Sequence, residues 1–318
     1  MLGSQFIVRS IAFVLLLINL QYCSALKILI GNDDSWGTAN IHALYNTAKA
    51  AGHDAIIAAP AMQQSGTDGL RHKPTRLAKN GAFNLVPAGA PAEGHDPKDD
   101  HVWYINSTPA SSIEYGLNEL CPRYFKSDPD LVITGTNQGN NLGLSYLGSG
   151  TYGAAKFAVT SKDIPAIAFS AGDSAEREYT ELGGPNDQAN IYAAMAFDLI
   201  NQLIVNKDKG AEAAGRLLPS RTLLNVNFPD QTKFNCQSSQ SKWVLTRILG
   251  TLDPSPDTCT CGEKKLCKLP TESSVFRDSS HGCTNSISVS VPNLNPDASA
   301  DQQKAVDEKL HNLLSCLS

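Results

Sequence analysis

Short, solid apolar runs alternate along the chain with longer stretches whose apolar residues fall at helical spacing. Residues 27–30 (Lys-Ile-Leu-Ile) read as a buried strand, followed by a polar loop and a helix over 40–51. Further strands are expected at 55–59, 102–105, 131–133 and 166–169. Helices are expected over 109–120, with Pro109 suited to a first turn, and over 151–160. Strand, loop and helix alternating in this way predict an α/β fold: a Rossmann-like, mostly parallel sheet wrapped by helices. A long amphipathic helix at 189–205, strands at 222–226, 243–248 and 287–291, and a closing helix at 301–314 extend it. Residues 70–101 are rich in Gly, Pro and charge with broken periodicity, and read as an extended arm or hairpin. No internal repeat or low-complexity tract interrupts the chain, so residues 26–318 are expected to form a single elaborated domain.

The first 25 residues follow a different pattern. A short stretch ending at Arg9, an apolar run over 11–20 and the small residues Ser24-Ala25 have the order of a secretory leader. The run is too short to span a bilayer, and no later stretch approaches that length. A secreted, soluble product beginning near Leu26 is the expectation. The 26 Lys and Arg against 31 Asp and Glu make the chain mildly acidic, and loss of the leader removes one more cation, Arg9. That balance leaves no electrostatic footprint for nucleic-acid polymers or anionic membranes. Small phosphates that arrive with a metal counter-ion remain open.

Of the eight cysteines, Cys23 departs with the leader. Cys236, Cys259, Cys261, Cys267 and Cys283 crowd an insertion at 235–284, and Cys316 lies near the C-terminus. In a secreted chain this cluster reads as disulfides rather than a zinc knuckle, since no second pair stands at finger spacing. Cys121, remote from the others, is the expected free thiol of an odd set of seven.

In open α/β sheets ligands bind beyond the carboxyl ends of the strands. The loop after the first strand reads Gly-Asn-Asp-Asp-Ser-Trp-Gly over 31–37. The adjacent carboxylates of Asp33 and Asp34 repel each other, and a divalent cation turns that repulsion into a site of hard oxygen ligands. A turn with a helix cap explains the same pair equally well. The second strand's loop carries Ser65. The loop after 131–133 is rich in Gly and Asn over 134–143, and Gly148-Ser149-Gly150-Thr151 then enters a helix. Asparagine oxygens suit a hard metal, and a helix N-terminus with Gly, Ser and Thr offers donors to phosphate.

Five segments together resemble the SurE family of nucleotidases and phosphatases: 28–34, 64–66, 107–109, 135–143 and 149–155. They read Ile-Leu-Ile-Gly-Asn-Asp-Asp, Gln-Ser-Gly, Ser-Thr-Pro, Gly-Thr-Asn-Gln-Gly-Asn-Asn-Leu-Gly and Ser-Gly-Thr-Tyr-Gly-Ala-Ala. The leader and cysteine-rich insertion are similar to the secreted, fungal-type acid phosphatase branch. The resemblance implies a metal-dependent phosphomonoesterase acting on nucleoside 5′- or 3′-monophosphates or on phosphate esters generally. Asp33, Asp34, Ser65 and Asn137 would hold a divalent ion, Mg²⁺ or Mn²⁺ before Ca²⁺. That ion would polarise the phosphoryl oxygen and orient an attacking water. Ser149, Gly150 and Thr151, with Asn141, would bind the phosphate. Family members are usually dimers or larger, exchanging arms and C-terminal helices, so 70–101 and 301–314 could serve a homodimer. Ser35, Ser111-Ser112 and Phe157 stand where the family usually has Gly, Asp-Cys and Glu; none is a proposed metal ligand.

Two other readings compete. Gly172-Asp-Ser174, Gly184-Pro-Asn-Asp187 and Asp278-Ser-Ser-His281 spell the blocks of a GDSL-type serine esterase, with Ser174 as nucleophile and His281 as base. The first two blocks are too close in sequence to stand on separate parallel strands with a crossover helix between them. A non-catalytic binding protein on the same scaffold would show no hydrolysis at all. Asn106-Ser-Thr is a glycosylation sequon, but it is followed by Pro109 at a strand end and is expected to be poorly used.

Overall fold

The structure is a computed structural model and describes residues 25–172, 175–230, 241–250, 257–258, 268–278, 286–293 and 295–316. Among the described residues nine strands form one sheet: β1 (Lys27–Gly31), β2 (Asp54–Pro60), β3 (Glu93–Asp96), β4 (Asp99–Ile105), β5 (Leu131–Gln138), β6 (Ala166–Ala171), β7 (Leu223–Phe228), β8 (Lys242–Thr246) and β9 (Ser286–Ser290), in the order β3-β4-β2-β1-β5-β6-β7-β9-β8. From β4 to β7 every neighbouring pair is parallel. β3 turns back on β4, and β9 runs against β7. The α-helices among the described residues are α1 (Ala39–Ala50), α2 (Pro109–Tyr115), α3 (Cys121–Tyr124), α4 (Gly150–Lys162), α5 (Gln188–Val205), α6 (Glu272–Asp278) and α7 (Ala300–Leu310).

The central strands are apolar on both faces because both faces are covered. Ile28 and Ile30 of β1 join one core with α1 and α5, while Leu29, between them, joins another with α2 and α4. Such a strand reads as a solid run rather than an alternation. A five-residue π-turn, Gly116–Leu120, joins α2 to α3, so the single helix expected over 109–120 is an interrupted one running to Tyr124.

The structure adds detail to three of these elements. The arm at 70–101 carries β3, which pairs with β4 and closes that edge of the sheet. The strand expected at 131–133 continues to Gln138, so Asn137 stands on a strand extension rather than in a free loop. Its pairing with β6 resumes at Asn137 and Gln138 after an irregularity beyond Thr134. Asn40 Nδ2 donates to the Thr136 carbonyl at 3.0 Å and supports that irregular step. The closing helix, α7, docks on its own chain: buried Lys309 donates to the Asn206 and Lys207 carbonyls at the end of α5.

Among the cysteines, Cys121 is free and buried, as expected. Cys316 is disulfide-bonded. Cys236, Cys259, Cys261, Cys267 and Cys283 lie outside the described residues, as do the leader, Ser174 and His281. No described helix is long and apolar enough to cross a membrane.

Candidate metal and phosphate site

The parallel strands deliver three loops and one helix start to a single place. β1 ends at Gly31, and Asn32, Asp33 and Asp34 follow, all buried. Asn32 Oδ1 accepts from the Asp33 backbone N–H at 2.9 Å, and its Nδ2 lies 3.4 Å from Asp34 Oδ2. Asn32 therefore holds the pair in place, a role the sequence did not suggest.

Asp33 faces the other elements. Its Oδ1 accepts a short hydrogen bond from Thr151 Oγ1, in the first turn of α4. Its Oδ2 lies 3.4 Å from Ser65 Oγ, which is longer than a direct hydroxyl–carboxylate bond. Ser65 in turn contacts Gln63 Nε2 at 2.6 Å. Asp34 Oδ2 accepts from the Gln138 N–H at 2.9 Å, which ties the pair to the β5 extension next to Asn137.

Two glycines make this proximity possible. A Cβ on Gly150 would lie 2.9 Å from Asp33 Cβ, so any side chain there would push the helix start off the carboxylate. One on Gly153 would meet the Asp68 carbonyl at 2.2 Å, and its absence lets the loop bearing Ser65 lie against α4. Ser149 caps α4 by accepting from Tyr152 N–H at 3.0 Å. Asp33, Asp34, Ser65, Gly150 and Thr151 are thus in one cluster, with Asn137 joined through its neighbour Gln138. Asn141 makes its contacts sideways, to Ser170 on β6 and to Asn225 and Asn227 on β7.

The charges of the cluster are uncompensated. The ion pairs of the described residues lie elsewhere, such as Arg71–Glu114, Lys162–Asp128 and Arg177–Asp187. Burial raises the Asp33 carboxyl above its ordinary range, against the pull of its hydrogen bonds. Burial, and then the charge of Asp33, raises Asp34 well above it. Glu176, in the loop after β6, is raised by burial and by Asp33 as well. That loop is also at a strand's carboxyl end, a place the sequence could have pointed to, but the esterase-like block it opens with, Gly172-Asp-Ser174, does not include Glu176. Asn137 adds a further signal: its Nδ2 donates to the Gly139 carbonyl at 2.6 Å, while its Oδ1 is buried without a partner. Buried carboxylates without a cation beside a buried acceptor without a donor fit a hard divalent ion.

A second acidic group, Asp99, Asp100 and His101, also brings three ligand atoms together. It opens β4, at the amino end of the parallel strands, and is far up the strand from Ile105, which pairs with Pro60. Asp99 already accepts from Tyr45 Oη at 2.8 Å.

The model of the "Survival protein SurE" family matches residues 28–250, most of the chain. An acid phosphatase of Yarrowia lipolytica is 35% identical over 84% of this chain and 79% of its own length. This chain belongs to the SurE family. The SurE family is metal-dependent, and this chain carries acidic groups able to hold an ion. A 5′-nucleotidase SurE of Microcystis aeruginosa is 32% identical over 64% of this chain, which spans 63% of that relative. The SurE protein of Aquifex aeolicus shares the fold, with a TM-score of 0.56 at 21% identity, covering 84% of this chain and 93% of that one.

Of the esterase blocks, only Gly172, Gly184–Asp187 and Asp278 fall among the described residues. Gly172 follows β6, and Asp187 caps α5 while paired with Arg177 at 2.6 Å. The sequon residue Asn106 spends its Nδ2 on the Thr75 carbonyl at 2.7 Å.

Proposed function

We infer that this protein is a metal-dependent phosphomonoesterase, with Asp33, Asp34, Ser65 and Asn137 holding the ion and Ser149, Gly150, Thr151 and Asn141 binding phosphate. The observation that carries this reading is the pair of buried, unneutralised carboxylates set against the N-terminus of α4. A divalent ion bound there supplies positive charge to the phosphoryl group and makes water a better nucleophile. The chain's own part is to fix the geometry. Thr151 orients Asp33 through both its hydroxyl and its backbone N–H, the Gln138 N–H orients Asp34, and the N-terminus of α4 beside them favours an anion. The kinship with an acid phosphatase and with 5′-nucleotidases favours phosphate monoesters, nucleoside monophosphates among them, as substrates. Mg²⁺ or Mn²⁺ suits an all-oxygen donor set with two carboxylates.

The same reading makes the protein a secreted one, its leader removed after residue 25 and its insertion stapled by disulfides. The disulfide-bonded state of Cys316 supports this. A homodimer is the proposed assembly. Chelator-treated protein should hydrolyse neither p-nitrophenyl phosphate nor AMP until Mg²⁺ or Mn²⁺ is restored. Full activity after exhaustive chelation would rule the metal out. Hydrolysis of p-nitrophenyl acetate that requires Ser174 would instead favour the serine esterase.

A further inference from the structure

A buried carboxylate stands beyond the part of the chain that matches the family model. Glu272 opens α6 and is fully buried. Its Oε2 accepts from the Gly143 N–H at 2.8 Å, and its Oε1 accepts from Asn225 Nδ2, also at 2.8 Å. Ser290 on β9 adds a third hydrogen bond. The partner amide of Asn225 is shared, since the same Nδ2 donates to the Asn141 carbonyl at 3.1 Å. Asn227, two residues along β7, accepts from the Asn141 N–H at 2.8 Å. Asn141 is thus held through its main chain from both sides, and Gly143, two residues on, begins the 3-10 segment Gly143–Gly148 that runs into Ser149 and α4.

We propose that Glu272 is a positioning residue for phosphate binding: it fixes the Asn141–Gly143 turn and thereby the placement of the Asn141 side chain at the phosphate. A carboxylate is the group that does this, because both of its oxygens accept while the two donors it meets come from different elements. An amide of the same shape cannot. Its NH₂ would face either the Gly143 N–H or Asn225 Nδ2, and turning Asn225 over would set its oxygen against the Asn141 carbonyl. Burial holds the carboxyl at about 7, with the charge of Asp297 adding to the effect. A buried, cation-free carboxylate kept at such a cost is more consistent with a positional role than with bulk packing.

The inference rests on Asn141 belonging to the phosphate site, and the experiment separates the two ideas. With p-nitrophenyl phosphate and metal-loaded full-length enzyme, Glu272→Gln is expected to raise KM about tenfold, the scale of one lost hydrogen bond, with kcat changed much less. Asn141→Ala is expected to raise KM similarly, and the double variant to match Asn141→Ala alone. An unchanged KM for Glu272→Gln, or increments that multiply in the double variant, overturns the proposal even if the melting temperature falls. An unchanged KM for Asn141→Ala removes Asn141 from the site and so overturns the underlying assignment as well. Should Glu272→Gln not fold, Asn225→Ala cuts the same bridge from β7. A KM rise that again disappears in the Asn141→Ala background supports the link, and an unchanged KM refutes it.

Discussion

Replacing Asp34 by Asn should make the metal-free protein more stable while destroying its activity. The substitution keeps the shape and an oxygen that can still accept from the Gln138 N–H, now at 2.9 Å. What it removes is one of two buried like charges whose carboxyls are both pushed upward by burial. Two unit charges about 4–6 Å apart repel by roughly 3–4 kcal/mol at an effective dielectric near 20. Partial protonation of the wild-type pair reduces the gain, so about 2 kcal/mol is expected at pH 8. For a domain of this size that corresponds to roughly 4–8 °C in melting temperature. The sign with pH follows from the raised carboxyl. Its stabilising contribution belongs to the protonated form and is lost as pH rises through the folded value, so the variant's advantage grows with pH. The assay is a thermal melt in chelator from pH 6 to 9, beside turnover with added Mn²⁺. Turnover should fall by at least about a thousandfold, the scale of losing a key electrostatic group. Metal should raise the melting temperature of the wild type and not of the variant. A variant that melts lower than the wild type in chelator would show that Asp34 is a structural cap, and the reasoning would fail.

Asn137→Ala should leave chelated stability nearly unchanged or slightly higher, because its Oδ1 is already an unpaired buried acceptor worth about 1–3 kcal/mol of penalty, while Mn²⁺ affinity measured by calorimetry falls. Gly150→Ala drives a methyl to 2.9 Å from Asp33 Cβ, so activity should drop more than tenfold with the circular dichroism spectrum retained; normal turnover would mean that the helix start is not part of the site. His42, stacked on Tyr179 at 4.1 Å, has its imidazole lowered to about 4 by burial. The unfolded chain therefore takes up a proton that the native state refuses, and stability should fall by up to about 3 kcal/mol between pH 6.5 and 4. His42→Phe should flatten that part of the urea-midpoint curve, and an unchanged slope would assign it to other groups. Cys121, buried with its thiol pushed up to about 12, should react with a maleimide only after unfolding; rapid labelling of native protein would contradict its burial.

The parallel core was legible because strands covered on both faces carry solid apolar runs, as Ile28-Leu29-Ile30 does, and because each is followed by a helix at 3.6-residue spacing. Asp33 and Asp34 were legible as a pair, yet ambiguous between cap and ligand. What the structure adds is distant in sequence: Thr151 reaches Asp33, and Gln138 reaches Asp34. The extension of β5 past Gly135 was hidden because Thr-Gly-Thr-Asn-Gln has no apolar pattern, and its order depends on β6 and Asn40. Glu176 and Glu272 left no local signal, since each matters only through what the sheet brings beside it. β3 was obscured in the same way, as an edge strand of Glu-Gly-His-Asp without strand-forming residues.

Anomalous diffraction from crystals grown with Mn²⁺ tests the metal site most directly. The expected result is a single strong peak within about 2.0–2.6 Å of oxygens from Asp33 and Asp34, with Asn137 and Ser65 around it. A peak only at Asp99, Asp100 and His101, or no peak beside Asp33, would contradict it.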